Sequence, residues 1–220
     1  VLSNEDFGRA DEAAIDRILT ATGADRTHLV YVARRLDKVL PSHWQQQVKA
    51  RMTSSYEDFL REMLDPDTDT WRHRLVMDPP DVGAVLVRWG KVLPPERMTV
   101  VVAEEGDREA LPRAFEGLLG LPPGLIAPPG GPANQSMGLA ETEAVRRINR
   151  LAIEEQWTPV EYRQLVQLGV VKALKNRAGR SGPRIGGVPA WAFDRVAELA
   201  DAQVDDIRSS GVNVVGDPER

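Results

Sequence analysis

The residues with the most definite chemistry in this chain are a pair of arginines and a serine a short distance downstream. Arg34 and Arg35 directly follow the apolar run Leu29-Val30-Tyr31-Val32-Ala33, and Ser42 lies eight residues after Arg34. A guanidinium is planar and always charged, and its fork of N–H donors matches the edge of a phosphate or sulfate. A serine hydroxyl on the next element adds a donor to the same anion. The three residues also fit a plainer role, with both guanidiniums solvated at a strand end and Ser42 an ordinary helix residue.

The elements around them set the geometry. β-Branched and aromatic residues dominate 29–33, and the turn-forming Thr22-Gly23-Ala24-Asp25 precedes them, which predicts a buried strand of a parallel sheet. Ligands of open α/β sheets bind at the carboxyl ends of strands, where helix N-termini present N–H donors and a positive dipole. A helix is predicted over 36–52, with Leu36, Val39, Leu40, Trp44 and Val48 as its apolar stripe. Pro41 lies inside it, so a kink or a break is expected there. Trp44, Gln45 and Lys49 are candidates to face a substrate cleft, with the core as the other place for Trp44.

The remaining pattern extends the same architecture. An amphipathic helix over 11–21 precedes the first strand and makes a strand–helix–strand spacing. Val82, Val85, Leu86 and Trp89 mark a helix within 79–90, and Met98–Ala103 is a second buried strand, so helix followed by strand again implies parallel pairing. Glu104 and Glu105 end that strand on the same edge as Arg34. Two acids there would repel a phosphate, so they are assigned to the loop. A helix over 107–119 stops at Gly120. Helices are expected over 138–153, 158–176 and 189–210, and Val212–Asp217 reads as a short edge strand or tail. The fold class is therefore α/β: a parallel sheet flanked by helices, with a helical C-terminal part. Residues 1–120 form the α/β core, 121–138 a Pro/Gly-rich connector, and 139–220 the helical remainder of the same domain.

Composition narrows the function classes. The chain has 220 residues, 42% of them apolar, and a formal net charge of −5. No basic excess supports a nucleic-acid-binding face. There is no cysteine, which excludes disulfides, thiolate metal sites and cysteine nucleophiles. His28, His43 and His73 lack metal-ligand spacing, so no metal is expected. No apolar run reaches the roughly 20 residues that span a bilayer, and no signal peptide opens the chain. A cytoplasmic protein acting on a small molecule is expected; its oligomeric state is not legible.

A strand ending in Arg, with Ser eight residues on inside the next helix, resembles the 3′-phosphate-binding motif of PAPS-dependent sulfotransferases. VARRLDKVLPSHWQQQVK is similar to the "ARDL…LPS.WQE..K" stretch of sulfotransferase-like proteins common in actinobacteria. Arg35 replaces the usual Asp and Gln46 the usual Glu. The resemblance implies a nucleotide-kinase-like sheet, PAPS as cofactor, and Arg34 with Ser42 on its 3′-phosphate. The segment Leu2-Ser3-Asn4-Glu5 resembles the family's "(V/L)-S-x-E", which makes Glu5 a candidate general base. A base is needed because the acceptor hydroxyl must lose a proton as it attacks sulfur. Glu5 fits equally the first turn of a helix capped by Ser3 or Asn4. Asn134-Gln135-Ser136-Met137-Gly138 resembles the family's "N-x-S-L-G", so Asn134 and Ser136 join Trp44 as candidate substrate-binding residues. The basic loop Asn176–Arg184 matches, in composition alone, the loop that closes on the nucleotide. The ending at 212–217 resembles the family's "xxVxGDxxxL".

One element of the family is absent from these 220 residues. The P-K-[ST]-G-[ST]-[ST] loop, which wraps the 5′-phosphosulfate, does not occur. Val1-Leu2-Ser3 reads as the end of a strand, which fits a chain whose loop lies upstream. The alternative is a non-catalytic α/β interaction module without nucleotide binding. An ATP-dependent kinase would need a Walker loop, and none is visible.

Overall fold

Met98-Thr99-Val100-Val101-Val102 is the centre of the structure, a computed structural model that describes residues 1–104, 106–126, 137–176 and 185–219, the side chain of Glu5 excepted. The chain divides into two compact units. One comprises 1–36, 68–130 and 195–220, and the other 37–67 and 131–194.

In the first unit three parallel strands form a sheet in the order β1 (Leu29–Ala33), β2 (Met98–Val102), β3 (Asn213–Val215). Leu29 lies opposite Met98, and Thr99 opposite Asn213. The central strand is buried on both faces. Met98 and Val100 point into the main apolar cluster, while Thr99 and Val101 on the opposite face are also buried. Burial on both sides is why β2 reads as an unbroken apolar run. β1 is half-buried along its length, as suits an edge strand. Its Tyr31 hydroxyl donates to the Pro79 carbonyl at 2.8 Å, and burial, then the nearby Asp81 carboxylate, pushes that phenol well above its ordinary range.

Helices cover the cluster face, among them the one that carries Ile207. The α1 helix (Glu12–Thr22) brings Ile15 and Leu19, and its N-cap Asp11 accepts from the Ala14 N–H at 2.8 Å. The α5 helix (Val82–Gly90) packs on the same cluster. It brings Val82, Val85, Leu86 and Trp89 at helical spacing, under an Asp81 cap. Trp89 Nε1 donates to the Phe7 carbonyl at 3.3 Å, and Arg88 donates to the Gly8 carbonyl, so both hold the short 3₁₀ turn Glu5–Arg9. The expected strand end at Val1–Ser3 is not part of the sheet: Val1 and Leu2 are exposed and unassigned to any element. The α4 helix (Trp71–Met77) starts under a Thr70 cap, whose side chain accepts from the His73 N–H at 3.1 Å.

The second unit is helical. It contains α2 (Leu36–Lys49) from Asp37 onward, α3 (Tyr56–Leu64), α7 (Leu139–Glu154), and a path made of α8 (Pro159–Tyr162), a π-helical segment Arg163–Val171 and α9 (Lys172–Asn176). The α2 helix runs through Pro41 without the expected break. Proline removes one backbone donor, and the helix retains the rest of its ladder. Leu40, Trp44, Val48, Phe59 and Leu60 are fully buried. The last carbonyls of a helix lack the regular ladder of donors, and here backbone N–H groups of Ala50, Arg51 and Met52 turn back onto Gln46, Gln47 and Val48. Asn149 Nδ2 donates to the Val48 and Met52 carbonyls at 2.7 Å each, and Tyr162 donates to Asn149 Oδ1 at 2.8 Å. Arg51, at φ +83°, is fixed by bonds of 2.9 Å to the Ala152 and Trp157 carbonyls. The helical C-terminal third is thus divided: 139–194 lies in the second unit, and the remainder returns to the first because β3 must pair with β2.

Candidate functional site

A parallel sheet presents the carboxyl ends of all its strands on one edge, and in the first unit that edge carries a cleft of about 760 Å³. Its floor is apolar, formed by Val101, Val102, Ala110, Ala114 and Val215. Its charged lining is Arg35 after β1, Glu104 after β2, Asp217 after β3, and Arg113 on the α6 helix (Ala110–Leu119). Gly216 allows the strand ends to close up. It sits at φ +96°, and a Cβ there would lie 3.2 Å from both the Val102 carbonyl oxygen and Val102 Cβ.

The α6 helix positions Arg113. The guanidinium donates to Asp107 and, at 3.4 Å, to Glu109 Oε2. The Arg113 bond, then the backbone N–H of Glu109, holds the Asp107 carboxyl below its ordinary range. In return Asp107, with Glu109 and Glu104, drives the guanidinium further up. Gly120, at φ +63°, ends α6, and the Leu121 N–H bonds back to the Glu116 carbonyl at 2.8 Å. The buried Glu116 side chain then accepts from the backbone N–H groups of Gly124 at 3.0 Å and Ile126 at 2.7 Å. These bonds, Ile126 first, lower its pKa. A second cleft of about 470 Å³ lies near the amino end of β2, beside Gly83, Met98 and Asp206. It lies away from the strand ends where α/β sheets bind ligands.

The residues singled out in the sequence fall in several places. Arg34 and Arg35 are exposed at the carboxyl end of β1, directly before α2. Ser42 is exposed on α2 and belongs to the second unit, whereas Arg34 belongs to the first. Glu5 opens the 3₁₀ turn Glu5–Arg9, with Asn4 as the cap, whose side chain accepts from the Asp6 N–H at 2.9 Å. Trp44, expected among the substrate-binding residues, is instead in the core. It is 0% exposed, its ring stands 5.2 Å from that of Tyr56, and its Nε1 donates to the Ser54 carbonyl at 3.2 Å. A large apolar ring on the inward stripe of α2 gains more from burial than from solvent contact. Asn134, Ser136 and the basic residues at 177–184 lie outside the described residues.

Sequence reasoning missed Arg113 and Asp217, and set Glu104 aside. The rule that ligands bind beyond strand carboxyl ends would have found Glu104 and Asp217, because each lies two residues past the end of a strand. Arg113 gives no such signal, since only the fold brings α6 to this edge. Among the described residues no group of three or more His, Asp or Glu is placed to hold a metal ion, and no helix is long and apolar enough to cross a membrane. Comparison with known proteins returns no match, whether to a protein-family model, a curated protein or a solved structure.

Proposed function

We propose that the chain is a sulfotransferase-like protein that uses PAPS to sulfate an acceptor hydroxyl or amine. The observation that carries the reading is the pair of exposed guanidiniums, Arg34 and Arg35, at the carboxyl end of a parallel strand and directly ahead of a helix N-terminus. The motif around them, with Ser42 eight residues on, supports PAPS over other anions and supports a nucleotide-kinase-like ancestry for the sheet. Arg34 and Ser42 would take the 3′-phosphate. In the reaction, the acceptor oxygen or nitrogen forms a bond to sulfur, the bond from sulfur to the phosphate oxygen of PAPS breaks, and PAP leaves. The acceptor proton passes to a base, for which Glu5 is the candidate. Chemistry of this in-line kind depends on positioning and charge stabilisation.

The test is a calorimetric titration of PAP into the chain, with Arg34→Ala as the comparison. The reading expects Arg34→Ala to weaken binding at least tenfold, about 1.4 kcal/mol. Absence of PAP binding, or equal binding by both proteins, overturns it and leaves the non-catalytic interaction module.

A further inference from the structure

The cleft at the strand ends differs in character from an anion site. Its floor is apolar, and its volume falls within the roughly 300–1,000 Å³ of small-molecule sites. Three separate strand ends and a helix build it, so its shape is set by the sheet itself. Its electrostatics are set by acids. Arg113 is shared among Asp107, Glu109 and the field of Glu104, and Asp217 adds a further carboxylate to the lining. The Asp217 carboxylate accepts only the local backbone N–H of Glu219, at 3.0 Å, among the hydrogen bonds described for it. Counting the groups that line the cleft together with those paired to Arg113, four carboxylates face two guanidiniums. A negatively charged ligand is disfavoured in such a field, and a positively charged one is drawn in.

We propose that this cleft binds a small cationic amphiphile: an aryl or alkyl body laid on the floor of Val102, Ala110 and Val215, with an ammonium directed to Glu104 and Asp217. That the ligand is the acceptor rests on the sulfuryl-transfer reading. On that reading its ammonium is the recognition group and its hydroxyl the nucleophile, and the nucleotide stays with Arg34, outside the acidic cleft.

Three phenols of similar size and different charge test this: tyramine, 4-ethylphenol and 4-hydroxyphenylacetate. Dissociation constants are read from amide chemical-shift titrations of the full chain. Tyramine is expected to bind at least fivefold more tightly than 4-hydroxyphenylacetate, with 4-ethylphenol between them, and to shift the amides of Ala103, Ala110 and Gly216. The preference is expected to shrink in high salt, and to fall below twofold in the Glu104→Gln, Asp217→Asn double variant. Both substitutions are at exposed positions, and retained amide dispersion shows that the variant is folded. Equal or tighter binding of the carboxylate, no binding of tyramine, or a preference that survives the double variant overturns the proposal. PAP titration of the same samples separates the two readings. Tyramine selectivity without PAP binding leaves the cleft assigned and removes the sulfotransferase reading, and PAP binding without tyramine selectivity does the reverse.

Discussion

Asn149 is fully buried and uses both ends of its amide. Its nitrogen donates to two carbonyls at the end of α2, and its oxygen accepts from Tyr162. A buried polar group costs little when every atom has a partner, and a partner left unpaired costs about 1–3 kcal/mol. Asn149→Ala removes the side-chain donor to the Met52 and Val48 carbonyls, the latter keeping the Arg51 N–H at 3.1 Å, and takes from the Tyr162 hydroxyl its 2.8 Å acceptor. The expected loss is about 2–4 kcal/mol of unfolding free energy, measured by urea denaturation. Asn149→Asp is expected to fare no better, because it replaces the donor with a buried carboxylate facing two carbonyl oxygens. A change below 0.5 kcal/mol in Asn149→Ala would show that α2 ends without this support.

The α6 helix shows how one carboxylate organises an element. Glu116 ties the turn at 121–126 to the helix through two backbone N–H groups, and those bonds lower its pKa. A carboxyl with a depressed folded-state pKa contributes stability above its unfolded value, near pH 4, and loses it as pH falls through the lower folded value. The amides of Gly124 and Ile126 should therefore be protected from hydrogen exchange at neutral pH. They should lose protection below about pH 4, and at all pH values in Glu116→Ala. Protection unchanged in the variant would remove Glu116 from the turn. The sequence did not disclose this bond, since a lone Glu in an amphipathic helix reads as solvated. What it did disclose depended on periodicity. The apolar runs at 29–33 and 98–102 were legible because burial on the sheet leaves little room for polar residues. Gly120 and the helix stripes were legible because caps and 3.6-residue spacing act locally. The π-helical segment at 163–171 and the continuity of α2 through Pro41 were not, because each depends on packing around the helix. Arg34 and Arg35 were found by type and position. The charge of the neighbouring cleft was not, because Asp217 is more than 100 residues from Glu104 and Arg113 and only the pairing of β3 with β2 brings it to them.

At the scale of the whole molecule, the two units are interleaved. The chain passes from one to the other at 36/37, 67/68, 130/131 and 194/195. Two of those passages lie inside α2 and α10 (Ala190–Ser209) rather than in loops. Each unit is assembled from separate segments of the chain and neither is a continuous stretch, so unfolding is expected to be one cooperative transition. Hydrogen exchange with mass spectrometry under increasing urea measures this. Peptides covering β2 in the first unit and α7 in the second should lose protection at the same denaturant concentration. Midpoints separated by more than about 1 M would show independent units, since at slopes of roughly 1–3 kcal/mol per M that gap exceeds 1 kcal/mol.

The order of the sheet also bears on how the chain is made. β2 is the middle strand, yet one of its partners comes early in the sequence and the other only at Asn213–Val215. During synthesis β1 and β2 can pair as soon as both have left the ribosome, but the far side of β2 stays bare until the chain has been extended as far as Asn213–Val215. At about 5–20 residues per second that interval is on the order of ten seconds. Throughout it, a strand of five apolar or β-branched residues presents an open row of amides and carbonyls along one side. A premature stop after Ser209 would leave that interval permanent, and its product should collect in the insoluble fraction.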